Sequence, residues 1–226
     1  MPGLLPFPTD WRSALVLVPH PDDPEYGIAA AVAKWTATGK AVRYALACRG
    51  EEGIAGMPAE EAGPIREAEQ RHSAAIVGVG TVDFWDFPDS NIRDTPDLRD
   101  AIASAICAAK PELVVTIYGG VEWDPGMPNQ RDHIEFAAAV TAAYDALSDP
   151  PRWLFQNGPQ PTHVEPVDGF IDAAVDSLAA HQVYLSVLDP ATPVREHARQ
   201  IIDMTTPVLA ELGNRVVRFV CLREGG

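Results

Sequence analysis

A short apolar strand that ends in a proline-locked turn constrains this fold more than any other part of the chain. The run Ala14–Val18 is aliphatic and β-branched, which is typical of a buried strand. The next residues, Pro19 to Glu25, include three prolines, which fix φ and exclude a helix there. A helical apolar pattern resumes at Gly27. Strand, rigid turn and helix in this order predict the first unit of an open α/β sheet.

The same alternation of strand and helix patterns continues along the chain. Further strands are predicted at Val42–Cys48, Val82–Phe84, Leu113–Tyr118 and Val216–Leu222. Helical patterns cover Glu25–Thr38, Ala59–Val77, Pro96–Ala109, Arg131–Leu147, Phe170–Leu188 and Thr192–Leu212. The Pro-rich stretch Asp149–Pro166 is predicted to be a loop with one short strand at Trp153–Gln156. We therefore expect an α/β fold of three layers, Rossmann-like, with a mostly parallel central sheet, in a single domain over residues 1–226.

Composition restricts the partners of the chain. Its 17 Lys and Arg residues against 32 Asp and Glu residues give a net charge of −15, which argues against nucleic acid and anionic membrane surfaces as partners. No apolar run approaches the roughly 20 residues of a membrane span. Free, buried thiols and a cytoplasmic location are expected because the three cysteines are far apart: Cys48, Cys107 and Cys221. The oligomeric state stays open, with a homo-oligomer among the alternatives.

A histidine and two carboxylates follow the first strand, at the edge where open α/β sheets place their chemistry. A catalytic zinc ion needs about three protein ligands and an open position. His20 and Asp23 offer two ligands on one turn, and His133, at a helix start after the strand Leu113–Tyr118, offers the third. The pair Asp22 and Asp23 is also common in plain turns and helix caps, so the prediction depends on the histidines.

These residues resemble the LmbE/PIG-L family of zinc-dependent de-N-acetylases. The resemblance covers most of the chain and depends on several short motifs that occur in the same order. They are the His-Pro-Asp-Asp at residues 20–23, the loop 48–53, the Arg-x-x-Glu at residues 66–69, the Pro-Asp turn at residues 87–89, the Asp-His at residues 132–133 and the segment 167–181.

The resemblance implies a ligand set and a base. His20, Asp23 and His133 would bind Zn²⁺, and the same donors also accept Fe²⁺ or Co²⁺. Asp22 would be the general base that accepts a proton from the attacking water.

The resemblance also implies contacts to an N-acylated sugar or amide substrate. Arg66 and Asp89 would hold sugar hydroxyls, and Asp132 would orient its neighbours around the metal. The implied reaction is N-deacetylation of an N-acetylglucosamine-like sugar. The alternatives are hydrolysis of a larger thiol–sugar or natural-product amide, and a homologue that binds metal or sugar without catalysis.

The general acid is where this sequence departs from the family. Many members carry a histidine three residues before the last zinc ligand, where this chain has Gln130, and some carry a tyrosine at the position of Pro128. Gln130 can donate a hydrogen bond to a developing oxyanion but cannot protonate a leaving amine. Either Asp22 returns the proton or another group, such as His163, supplies one.

Overall fold

A sheet of nine strands forms the middle layer of the structure, a computed structural model that describes residues 3–225. Its strands are β1 (Leu5–Pro6), β2 (Ser13–Val18), β3 (Ala41–Leu46), β4 (Thr81–Phe84), β5 (Leu113–Thr116), β8 (Trp153–Asn157), β9 (His163–Pro166), β10 (Val208–Leu209) and β11 (Asn214–Glu224). They are ordered β1-β9-β11-β8-β5-β2-β3-β4, with β10 paired to β11. A separate hairpin contains β6 (Glu122–Asp124) and β7 (Met127–Pro128).

Helices cover both faces of this sheet. They are α1 (Asp23–Gly27), α2 (Ala29–Ala37), α3 (Ala59–Ile76), α4 (Pro96–Ala109), α5 (Arg131–Ala146), α6 (Ile171–Ala179), α7 (Gln182–Leu188) and α8 (Val194–Thr205). A one-turn 3₁₀ helix spans Asp168–Phe170. Among residues 3–225, no helix is both long enough and apolar enough to cross a membrane.

The first long strand shows why both faces need a cover. Val16 and Val18 pack into the core on the side of α2, α6 and α8, whereas Leu15 and Leu17 pack into the core on the side of α4 and α5. Successive side chains of a strand point to opposite faces, so a continuous apolar run requires helices on both. The α/β fold with a mostly parallel central sheet is therefore confirmed.

Parallel pairing brings the functional loops to one edge. β2 pairs in parallel with β3 and with β5, and Val18 lies opposite Leu46 while Leu17 lies opposite Thr116. The chain segments that leave β2, β3 and β5 therefore begin side by side at the carboxyl edge of the sheet. β11 runs antiparallel to both β8 and β9.

Three predicted helices are shorter or interrupted. The helix predicted over Glu25–Thr38 breaks at Ile28, whose φ of −138° and ψ of 3° are not helical, and becomes α1 and α2. α1 already begins at Asp23, inside the stretch where the prolines were expected to exclude a helix, because proline is tolerated in the first turn of a helix. The helix predicted over Phe170–Leu188 breaks at Ala180 and His181 into α6 and α7. The helix predicted over Thr192–Leu212 ends at Thr205, shortly before Pro207, because proline cannot continue a helix.

The Pro-rich stretch Asp149–Pro166 is more ordered than predicted. The short strand at its start is present as β8, but the remainder also contains β9, which pairs with β1 and β11. β9 was wrongly assigned to a loop because its four residues include a proline and show no clear alternation. Its partner β1 is only two residues long and has no detectable pattern.

Candidate active site

Three predicted ligands converge at the carboxyl edge of the sheet. His20 lies in the turn after β2, Asp23 begins α1, and His133 lies in the first turn of α5. All three are buried, and their ligand atoms lie within 4.8 Å of one another. His133 Nε2 is 3.2 Å from Asp23 Oδ1, and His20 Nδ1 is 3.5 Å from Asp23 Oδ2. The structure thus forms a His/Asp/His group that can bind a metal ion.

The hydrogen bonding of His133 fits a metal ligand. Its Nδ1 lies 3.0 Å from Asn129 Oδ1, and a hydrogen bond from Nδ1–H to this oxygen leaves the lone pair on Nε2. Nε2 is buried and has no hydrogen-bond partner among the described residues. The Nε2 of His133, the carboxylate of Asp23 and the imidazole of His20 together offer the nitrogen and oxygen donors that zinc and related divalent ions prefer.

Two more carboxylates hold the other side of His20. His20 Nε2 lies 3.3 Å from Asp89 Oδ1 and 3.4 Å from Asp132 Oδ2. Burial alone would lower the pKa of His20, but hydrogen bonds to Asp132, Asp23 and Asp89 outweigh it and raise this pKa well above its usual range. A carboxylate on the far nitrogen of a ligating histidine fixes the ring and its tautomer, which leaves Nδ1 to face Asp23.

Asp22 is adjacent to the metal-binding group but does not belong to it. It precedes α1 in a left-handed conformation with φ of 77°, and its side chain does not cap the helix. Asp23, in contrast, braces the turn by accepting the N–H of His20 at 2.8 Å. Burial raises the pKa of Asp22 to about 6, against the opposing charge of Arg66. A buried carboxyl group with a pKa near neutrality is suited to move protons at physiological pH.

Arg66 directs its donors to this carboxylate and to nearby backbone. Its Nη2 donates to Asp22 Oδ2 at 2.9 Å and to Pro21 O at 2.8 Å, and its Nη1 donates to Gly50 O at 3.4 Å. A Cβ at Gly53 would overlap Nη1, so only glycine leaves room for the guanidinium at that position. The predicted contact of Arg66 with sugar hydroxyls stays a prediction.

Asp89 connects two loops at the carboxyl edge. Its Oδ2 accepts the N–H of Glu52 at 2.8 Å, and its own N–H donates to Glu51 Oε1 at 3.0 Å. These bonds join the loop after β3 to the loop after β4, beside His20. The predicted contact of Asp89 with the substrate also stays a prediction.

Gln130, which stands where the family often has its acid, and His163, a candidate for that acid, occupy different places. Gln130 is the exposed residue that precedes α5, and its N–H donates to Asn129 Oδ1 at 2.9 Å. His163 lies in β9, four strand positions from β2, or about 19 Å at the usual strand spacing of about 4.8 Å. Its ring packs against Phe155 with centroids 5.1 Å apart. This separation removes His163 as a proton donor at the site.

A second possible ligand group shares His20. Cys48, Asp89 and His20 also bring ligand atoms within 4.8 Å of one another. The Cys48 thiol, however, donates to Pro19 O at 3.3 Å, and burial raises its pKa to about 12. A neutral thiol is a poor metal ligand, so the group with Asp23 and His133 is the stronger candidate.

Sequence reasoning missed two side chains around the site. Asn129 orients His133, and Tyr184 on α7 lies under Arg66, with its ring centroid 4.2 Å from Cζ. The charge of Asp22 raises the pKa of Tyr184 above its usual range. Asn129 lies four residues before His133, a spacing that could have drawn attention to it. No spacing pattern connects Tyr184 to the first half of the chain.

Comparisons with known proteins show which family and which relatives the chain is similar to. The family described as PIG-L, GlcNAc-PI de-N-acetylase, matches residues 15–144, which include Asp22 and the His/Asp/His group. A probable N-acetyl-alpha-D-glucosaminyl L-malate deacetylase 2 from Bacillus anthracis is 27% identical over 212 residues, which are 86% of this chain and 89% of that protein.

Solved structures support the fold. N,N'-diacetylchitobiose deacetylase from Pyrococcus horikoshii, complexed with its inhibitor MPG, has a TM-score of 0.76 and 16% identity over 94% of this chain and 84% of its own. GalB, a 4-carboxy-2-hydroxymuconate hydratase from Pseudomonas putida KT2440, has a TM-score of 0.68 and 17% identity over 93% and 96%. A deacetylase and a hydratase share the fold, so the fold alone does not select the reaction.

Proposed function

The chain belongs to the PIG-L family, and from this premise we propose that it is a zinc-dependent hydrolase that deacetylates an N-acetylglucosamine-like sugar or conjugate. Membership confirms the resemblance of the sequence motifs to LmbE/PIG-L proteins. The observation that carries the proposal is the buried group of His20, Asp23 and His133 with the carboxyl group of Asp22 beside it.

Zinc is the metal that we propose for the His/Asp/His group. Two imidazoles and one carboxylate are a common zinc ligand set in hydrolases, and they leave one position for water or substrate. When bound, the ion supplies Lewis acidity to the acyl oxygen and lowers the pKa of water. Fe²⁺ and Co²⁺ suit the same donors, so availability decides the occupant.

Asp22 performs the proton transfers in this proposal. Its carboxylate accepts a proton from the water whose oxygen forms the new bond to the acyl carbon. As the C–N bond breaks, the same carboxyl group returns the proton to the leaving nitrogen, and acetate and an amine result. Asp22 has this second role because Gln130 carries no transferable proton and His163 is remote.

The neighbouring residues support these steps. Arg66 orients and charge-balances the Asp22 carboxylate, while Asp132 and Asp89 hold His20. Arg66 and Asp89 are buried and already bonded within the site, so we assign a supporting role to both, and their contact with sugar hydroxyls stays a prediction. Gln130, exposed at the start of α5, donates a hydrogen bond to the negative charge that develops on the acyl oxygen.

A panel of amides tests the proposal. N-acetylglucosamine, N,N'-diacetylchitobiose and N-acetylglucosaminyl malate are incubated with the zinc-loaded protein, and acetate and free amine are each quantified. We expect equal amounts of both products from at least one sugar, which distinguishes hydrolysis from hydration. Larger N-acylated thiol–sugars extend the panel. Tight metal binding without release of amine from any substrate would contradict the proposal and favour a binding homologue.

A further inference from the structure

Three buried polar side chains behind the site take no part in metal binding. Gln70 on α3 and His181 before α7 are 0% exposed, and Glu25 on α1 is 1% exposed. Burial of polar groups costs free energy unless they find partners, so each of them needs a reason to be there.

The three side chains form a row that ends at the backbone of Asp22. Asp22 N–H donates to Gln70 Oε1 at 2.7 Å, and Gln70 Nε2 donates to Glu25 Oε1 at 3.1 Å. His181 Nε2 lies 3.3 Å from Glu25 Oε2. Elements from both halves of the chain therefore meet at the residue proposed as the base.

The conformation of Asp22 makes this contact valuable. Its φ of 77° lies in the left-handed region, which residues with a Cβ rarely adopt. In that conformation its N–H faces the interior, where Gln70 Oε1 is the acceptor. Without this acceptor, a buried donor would lose its partner and the turn would be free to relax.

Glu25 determines which end of the Gln70 amide group faces Asp22. A carboxylate accepts but does not donate, so the Gln70 NH₂ group points to Glu25 and the carbonyl oxygen points to Asp22. His181, in turn, stands on the far side of the Glu25 carboxylate.

We infer that Gln70 is a positioning residue for the reaction, which holds the backbone of Asp22 so that its carboxyl group faces the substrate, while Glu25 accepts a hydrogen bond from the Gln70 amide and so fixes its orientation. The inference rests on the proposed function of Asp22 as base. Neither of the two hydrogen bonds that the Gln70 side chain makes to described residues is to His20, Asp23 or His133. We therefore expect substitution of Gln70 to lower the catalytic rate more than it lowers metal binding.

Substitution of Gln70 by methionine tests the inference, since Met has a similar length and no acceptor. In zinc-loaded Gln70→Met we expect kcat on the best panel substrate to fall about 10- to 100-fold, because small misplacements of reacting groups cost that much. KM and zinc content are expected to stay within about twofold, since the ligands keep their own contacts. Gln200→Met, the same change at an exposed position of α8, is the matched control.

A spectroscopic readout tests the contact without turnover. The amide proton of Asp22 should exchange slowly and resonate downfield in the wild-type protein because of its short hydrogen bond. In Gln70→Met it should shift upfield and exchange faster, while amides in β5 stay unchanged. If Gln70→Met does not fold, Gln70→Asn, whose shorter side chain withdraws the acceptor, takes its place in both measurements.

Exchanging the side chains of Gln70 and Glu25 tests whether activity returns when their hydrogen bond is restored. Gln70→Glu alone places a second buried carboxylate beside that of Glu25. The double variant Glu25→Gln with Gln70→Glu again pairs one amide with one carboxylate, and the carboxylate at position 70 can accept the N–H of Asp22. We expect the double variant to exceed Gln70→Glu in kcat by about 10-fold. A structural role alone would lower the melting temperature of Gln70→Met and leave its kcat per zinc unchanged, which would overturn the inference. An inactive wild type would refute the proposed function, and the Asp22 amide would still decide whether Gln70 holds it.

Discussion

His133 Nε2 lies 3.2 Å from Asp23 Oδ1, which joins the start of α5 to the turn after β2. The two residues are far apart in the sequence and meet because β5, which precedes α5, pairs in parallel with β2. Both side chains are buried, so they are positioned by protein contacts and not by solvent. This contact is central to the proposed metal site, since it brings the buried Nε2 of His133 to a carboxylate in the interior.

Removal of His133 should abolish metal binding. His133→Ala deletes one of about three ligands, and we expect bound metal to fall from about one ion per chain to a small fraction after dialysis. Elemental analysis by mass spectrometry measures it. His72→Ala, at an exposed position of α3, is the control that should keep full metal content. Full metal content in His133→Ala would refute the proposed ligand set.

Substitution of the base should separate catalysis from metal binding. Asp22→Asn keeps the size of the side chain and removes its proton affinity, so kcat should fall about 10²- to 10⁴-fold while zinc content stays unchanged. Steady-state kinetics together with metal analysis checks this, with exposed Asp149→Asn as the control. Near-normal turnover by Asp22→Asn would mean that another group is the base.

Loss of Arg66 should move the pH profile. Burial raises the pKa of Asp22 to about 6, and the charge of Arg66 opposes that rise. In Arg66→Met the pKa of Asp22 should therefore increase further. Because the deprotonated base is the active form, the acidic limb of kcat against pH should shift to higher pH. The same measurement on Arg195→Met, an exposed arginine of α8, should show no shift, and an unmoved limb in Arg66→Met would contradict the assigned role.

The three thiols should react in a defined order. Only Cys48 is buried, so the expectation of three buried thiols was wrong for Cys107, which is exposed, and for Cys221, which is partly exposed. Burial raises the pKa of Cys48 to about 12. Burial also raises the pKa of Cys221, although less of that side chain is covered. Titration with a disulfide reagent at neutral pH should modify Cys107 first and Cys48 only after denaturation. Rapid modification of Cys48 in the folded Cys107→Ser variant would show that the loop after β3 opens in solution.

The sequence predicted those parts of the site that depend on local order. His20, Asp22 and Asp23 lie in one turn, and the prolines around them exclude most other conformations. His133 was predictable because neighbouring parallel strands open on the same edge of a sheet. The prediction of His133 thus needed only the order of strands and helices, and the structure brings it to the other two ligands.

Contacts that depend on helix packing could not be predicted. Gln70 lies on a helix whose pattern does not reveal that its amide faces Asp22 and Glu25. Tyr184 and His181 reach the site because the predicted helix Phe170–Leu188 breaks at Ala180 and His181, and nothing in the local sequence marks that break. Such contacts depend on how α3, α6 and α7 pack together, which short-range patterns do not encode.

Reconstitution of the metal-free protein tests the central claim most directly. The chain is stripped with a chelator, zinc is added in small increments, and the release of amine from N,N'-diacetylchitobiose and N-acetylglucosaminyl malate is followed. We predict no activity without metal and a linear rise that ends at about one zinc ion per chain. Full amine release by the stripped protein, or none after one equivalent of zinc binds at His20, Asp23 and His133, would contradict this prediction.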